Sequence, residues 1–195
     1  PVSLGLNQHA FAPPASATPT ATAVQGVATF APLAITRAAT GYVTTASATF
    51  FGTPASQAGN AFTVVAAAPA SLTIVQGNGL TLPAGAVATP APTVAVTDAF
   101  ANPIAGATIG WEAGSTAGTA SPTSSTTDAL GRATTTWTFG PGGNELLATL
   151  TGTPLQALFT GTGTTSLQTL NSCTTGGGKD PINAAGRTAA FWIPD

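Results

Sequence analysis

A chain of 195 residues with 4 basic and 6 acidic side chains and a net charge of −2 projects no basic field. That makes nucleic acid and anionic membrane poor partners. Charged residues are only 5% of the chain, so the high net charge that keeps a disordered tail open is missing, and no apolar run of about 20 residues is present to span a bilayer.

In chain order, Pro1–Leu6 alternates Val2, Leu4 and Leu6 against Ser3 and Gly5, so the sequence begins inside a strand. The stretch 7–20 is rich in Pro, Ala, Ser and Thr and reads as a loop. Residues 22–35 read as a strand pair or one bent strand, with Pro32 shifting the phase to Leu33 and Ile35. Gly41-Tyr42 opens another alternating run through Thr44, Ala46 and Ala48, and Phe62 and Val64 close this first unit. Ala66–Pro69 is a short Ala/Pro connector, stiff because it lacks a Gly/Ser composition, so the two units it joins should form a semi-rigid rod.

Leu72-Thr73-Ile74 starts the second unit, and Val94 and Val96 mark its next central strand. Residues 98–106 form a turn initiated by Asn102-Pro103. Ile109 and Trp111 face the core, and 114–126 is a small, polar loop or weak edge strand. The organising stretch is Thr127–Phe139. Asp128 can bond its own backbone there, and Gly131 supplies a positive φ. Ala133, Thr135, Trp137 and Phe139 then fall on one face of a half-buried strand. Leu146, Ala148 and Leu150 form the next inward stripe, and Leu155–Phe159 closes the sandwich. Short alternating strands separated by turns every 8 to 12 residues or so are the signature of an immunoglobulin-like sandwich.

A weaker copy of the organising stretch lies earlier, where Gly26-Val27-Ala28-Thr29-Phe30 matches Gly131-Arg132-Ala133-Thr134-Thr135. This repeat divides the chain into two units. Residues 70–161 resemble the bacterial Ig-like domains found in tandem in invasin- and intimin-type adhesins. The resemblance is carried by Ala70-Ser71-Leu72-Thr73-Ile74, Val94-Ala95-Val96-Thr97-Asp98 with Asn102-Pro103-Ile104, Thr127-Asp128, Gly131-Arg132-Ala133 and Trp137-Thr138-Phe139-Gly140. Residues 22–65 look like the second half of a similar repeat. The resemblance implies an all-β fold and a location outside the cell or on a bacterial surface. It brings no catalytic residues, because such modules are mostly spacers.

The expected architecture is two tandem immunoglobulin-like β-sandwiches: an incomplete one over 1–67, a complete one over 68–164, and an extended C-terminal tail over 165–195. On the repeat alignment Leu4 matches Ile109 and Leu6 matches Trp111, so the first unit lacks everything equivalent to 71–105. That omission leaves an open edge and an uncovered core. The tail begins Ser166-Leu167-Gln168-Thr169-Leu170, like Ser71–Val75, and ends with Ala189-Ala190-Phe191-Trp192-Ile193, like the Val94–Val96 strand. The expected assembly interface is therefore Leu4, Leu6, Leu167, Leu170, Ala189, Phe191, Trp192 and Ile193. The tail of one copy would supply missing strands to the next, giving a head-to-tail homopolymer. The alternative is an Ig-like spacer or adhesion segment of a larger surface protein, with host or environmental glycans as a further partner class.

Chemistry finds little purchase. His9 is the single histidine and Cys173 the single cysteine, so neither a triad, a metal cluster nor an internal disulfide can be assembled. The absence of Met and the scarcity of Lys and Glu suit export, and Pro1 suggests processing or a piece of something longer. Asp98, Asn102 and Asp128 could gather oxygens for calcium, but turn formation accounts for them as well. Glu112 and Glu145 are the only glutamates; one follows Trp111 on the outward face and the other follows a turn, so neither is placed across a cleft. Gly176-Gly177-Gly178-Lys179-Asp180 lacks the Ser/Thr and the strand–helix context of a phosphate loop. Tyr42, Phe191 and Trp192 could stack on a sugar, although strand packing explains Phe191 and Trp192 better. Ser/Thr-rich 15–22 and 121–127 could carry O-linked sugars. No enzyme, cofactor or metal is expected.

Overall fold

The computed structural model describes residues 1–13, 18–114 and 118–165. All regular structure among them is β. In the first half the strands are β1 (Val2–Leu6), β2 (Thr20–Ala21), β3 (Ala23–Val24), β4 (Val27–Ala28), β5 (Ala39–Tyr42), β6 (Thr44–Phe50), β7 (Thr53–Ala58) and β8 (Phe62–Val64). In the second half they are β9 (Pro69–Gln76), β10 (Leu80–Pro83), β11 (Thr93–Asp98), β12 (Thr108–Ala113), β13 (Thr119–Ser121) and β14 (Ser124–Thr126). They continue with β15 (Arg132–Thr134), β16 (Thr136–Thr138), β17 (Gly142–Leu150) and β18 (Gln156–Thr164).

Among the described residues no sheet mixes strands from the two halves. The second half forms a sheet in the order β14-β12-β17-β18-β10 and a second sheet in the order β15-β11-β9. Its core lies between them. Ile109, Trp111, Leu146, Ala148, Leu150 and Phe159 come from the first layer, Val94, Val96 and Ala133 from the second, and Trp137 and Phe139 fill the centre. Trp137 and Phe139 rings sit 4.5 Å apart, and Trp111 tilts against Phe159. Strict alternation put these side chains inward, because a period of two on a sheet with one solvated face leaves no other choice.

The organising stretch divides where one strand is expected. Asp128 Oδ1 accepts from the N–H groups of Leu130 and Arg132, and Gly131 adopts φ +72°, so the turn forms as read. Ala133, Thr135, Trp137 and Phe139 are all buried. The strand nevertheless breaks at Thr135: β15 pairs with β11, whereas β16 pairs with β13. The Thr135 hydroxyl donates to the Pro122 carbonyl at that break, and its own N–H donates to the Pro92 carbonyl.

The first half builds a sheet in the order β2-β1-β6-β7. This repeats the order β14-β12-β17-β18, and the pairing Leu4↔Ala46 and Leu6↔Thr44 parallels Ile109↔Leu150 and Trp111↔Ala148. Among the described residues the place that β10 takes beside β18 has no counterpart beside β7. The hairpin β3–β4 holds the repeat's Gly26-Val27-Ala28, but no described strand extends it as β11 and β9 extend β15. The expected run through Leu33 and Ile35 is irregular chain rather than strand, since Pro32 interrupts it. Among described residues the buried apolar side chains of this half are Phe11 and Tyr42.

Candidate functional site: the junction and the half-covered sheet

Two features of the structure bear on function, and the first lies between the halves. Asp98 ends β11 and is 3% exposed. Its Oδ1 accepts from the N–H groups of Phe100 and Asn102, at 2.8 and 2.9 Å. Its Oδ2 accepts from the Asn102 side-chain amide at 2.8 Å and from the N–H of Ala67 in the connector at 2.9 Å. Asn102 carries the contact onward into the first half. Its Nδ2 donates to the Thr36 carbonyl at 2.7 Å, and its Oδ1 accepts from the Ala38 N–H at 2.9 Å. Tyr42 braces the same loop, its hydroxyl donating to the Arg37 carbonyl at 2.8 Å.

The local sequence explains the geometry. The turn after β11 folds back because Asp98 accepts from N–H groups two and four residues on, and because Ala101 takes a left-handed φ of 62°. Burial works to raise the Asp98 pKa. The hydrogen bonds from the Asn102 side chain and from the backbone of Ala67, Asn102 and Phe100 outweigh it and lower the value from 3.8 to about 2. The carboxylate is therefore ionised at neutral pH and its oxygens are occupied by four N–H donors.

The second feature is the sheet of the first half. Its β1 presents Val2, Leu4 and Leu6 on one face, and all three are half-buried where the equivalent Ile109 and Trp111 are closed off. The opposite face carries Ser3, Ser47 and Ser56 around a shallow concavity that also meets Thr20 and Thr49. Among the described residues no acidic, basic or thiol side chain lines that concavity.

The structure places the sequence-predicted residues as follows. Leu4 and Leu6 lie together on β1 as expected. Leu167, Leu170, Ala189, Phe191, Trp192 and Ile193, with Cys173 and the Gly176–Asp180 stretch, lie outside the described residues. Tyr42 corrects the sugar-platform reading: it is fully buried, stacked on Phe62 and tilted against His9. Its inward place is held by the ring contacts with Phe62 and His9 and by its hydroxyl, which donates to the Arg37 carbonyl. Asp98 and Asn102 do meet, but through amide donors, while Asp128 spends its own oxygen on the turn beside Gly131. Among described residues no three His, Cys, Asp or Glu side chains gather as a metal site. Glu112 and Glu145 stand on adjacent strands and are both exposed on the outer face.

The contact of Asn102 with Thr36 and Ala38 was missed by sequence reasoning. The one available signal was a pair of short polar residues around a turn that directly follows a buried strand.

No family model matches the chain, and comparison with curated proteins finds no match. Among solved structures, the chain is similar to the D0-D1 domain of Intimin, with 18% identity and a TM-score of 0.38 over 83% of this chain and 80% of that one. It is also similar to the D00-D0 domain of Intimin, with 17% identity and a TM-score of 0.38 over 62% of this chain and 61% of that one. Both neighbours come from intimin, one of the protein types that the sequence resemblance names.

Proposed function

We propose that this chain is an Ig-like spacer or adhesion segment of a bacterial surface protein, with a mechanical rather than a chemical task. The observation that carries the reading is the junction. Asp98 and Asn102 belong to the second half, yet their polar atoms bond Thr36, Ala38 and Ala67 outside that half's sandwich. Ordering two units in this way costs conformational freedom that a flexible tether would keep. Such a junction suits a stalk that projects something away from a surface. The reading assigns no catalytic step. Binding of host or environmental glycans belongs to the adhesion form of this reading, and a glycan array tests it directly.

Small-angle scattering tests the mechanical reading. The wild-type chain should fit one narrow distribution of inter-unit distances. Asn102→Ala removes both bonds to Thr36 and Ala38 and should broaden that distribution, with a stability loss of about 1–3 kcal/mol for the unpaired groups. Equal breadth in both proteins would remove the junction as the basis of the reading.

A second reading is favoured by a specific observation, the half-covered face of β1. It makes the chain a structural subunit of an extracellular filament, assembled head-to-tail by β-strand complementation. Electron microscopy separates the two readings, since long regular polymers support the second and discrete particles the first.

A further inference from the structure

The second half of the chain shows what a complete unit looks like, and the first half can be compared with it strand by strand. In the complete unit, the face carrying Ile109 and Trp111 is covered by β11 and β9, with Val94 and Val96 fully buried against it. In the first unit the same sheet order is present, and the strand equivalent to β15 is present as β4, but among the described residues β4 has no strand neighbour other than β3. Val27 on β4 is 65% exposed, and no charged residue stands in β3 or β4 to guard the edge.

The two units also differ in where their bulk resides. The complete unit places Trp111, Trp137 and Phe139 on its own framework and receives the small Val94 and Val96 from β11. On the alignment that matches Gly26 with Gly131, the first unit has Leu6 in the place of Trp111, while the other two positions fall on the exposed Pro32 and Ala34 of an irregular segment, beside the half-buried Leu33 and Ile35. None of Leu6, Leu33 and Ile35 has the volume of a tryptophan or phenylalanine ring, and interiors close to crystal-like density. A covering strand with larger side chains suits this face. A sequence of that kind occurs in this chain at 188–193, Thr-Ala-Ala-Phe-Trp-Ile.

We propose that the first unit is completed by residues 166–193 of a second copy of this chain, and that the register is the one the second unit uses for its own strands. This rests on the strand-complementation reading and names its partner. Matching Thr188 to Thr93 puts Ala189 and Phe191 in the places of Val94 and Val96. The pairing Val94↔Ala133 then translates into Ala189 opposite Ala28, antiparallel to β4. The pairing Val96↔Leu72 translates into Phe191 opposite Leu167, with 166–170 taking the outer position of β9. Phe191 supplies the aromatic bulk over Leu4 and Leu6 that Trp137 and Phe139 give the second unit. The contact uses different surfaces on the two copies, so it propagates instead of closing as a symmetric pair.

Engineered disulfides in the full chain test the register, in a Cys173→Ser background. A chain with Ala28→Cys is mixed with a chain with Ala189→Cys and oxidised, and a chain carrying both substitutions is oxidised alone. The expected results are a cross-linked heterodimer from the mixture and a ladder of multimers from the double variant. Phe191→Ser, placed outside both described units, should abolish the ladder. Three results overturn the proposal: no cross-link, a double variant that links only within itself at every concentration, or a link that forms equally well with Ala190→Cys. Electron microscopy of the same samples separates the levels. Filaments without the cross-link leave strand complementation standing and remove this tail as the donor, whereas absence of both removes the filament reading itself.

Discussion

At the scale of single residues, Asp98 carries the most. Its carboxylate is buried and satisfied by four N–H donors, which hold its pKa at about 2 against 3.8 for a free side chain. A depressed folded-state value means that the folded chain binds a proton less readily than the unfolded one. The stability contributed by the carboxylate is therefore fully present above about pH 4 and is lost as pH falls through about 2. Urea midpoints measured from pH 5 down to pH 2 should fall across that window. Asp98→Asn should begin from a lower midpoint, because its amide nitrogen cannot accept from the donors it faces, and it should show a flatter profile. An identical slope in both proteins would place the acid sensitivity elsewhere.

At the scale of elements, the two tight hairpins of the first half are alike. Gln25-Gly26 joins β3 to β4 and Phe51-Gly52 joins β6 to β7, and in both loops the two central residues have positive φ: 51° and 82° in the first, 48° and 83° in the second. That is the turn whose twist matches paired strands, and it favours Asn-Gly over a bulky first residue. Phe51 is fully exposed and has nothing to bury in exchange for its left-handed backbone. Phe51→Asn should therefore stabilise the chain by about 1 kcal/mol, read as a higher thermal midpoint with unchanged secondary structure. These hairpins also mark where sequence reading stops. The strands of the second half were legible because Trp111, Trp137, Phe139 and Leu146 recur with a period of two in runs long enough to count. β3 and β4 are only two residues each, and Gln-Gly and Phe-Gly are not the dipeptides by which a turn is recognised. The break at Thr135 was invisible for another reason: its alternation continues unbroken while its backbone partners change from β11 to β13. The junction lay beyond any local pattern, since Ala38 and Asn102 are 64 residues apart in the chain.

At the scale of the whole molecule, the two halves share a strand order but not a core. The second half encloses Trp137, Phe139, Phe159, Ile109 and Leu146 with at most 1% exposure each, whereas among described residues of the first half only Phe11 and Tyr42 are buried apolar side chains. Hydrophobic stabilisation scales with apolar area removed from water, at roughly 25 cal/mol per Å², so the two halves should open at different free energies. Hydrogen exchange on dilute chain should show amides of β1 and β6 exchanging at least tenfold faster than those of β12 and β17, although both pairs are interior to their sheets. The junction bonds then link the two equilibria, because Thr36 and Ala38 must stay ordered for Asn102 to keep its partners. Asn102→Ala should accelerate exchange in the first half while leaving β12 and β17 nearly unchanged, since the larger core does not need its neighbour. If exchange in β1 and β6 instead slows steeply as the chain is concentrated, the missing protection is coming from another copy. If it stays equal to that of β12 and β17 at every concentration, the first half is closed by its own residues.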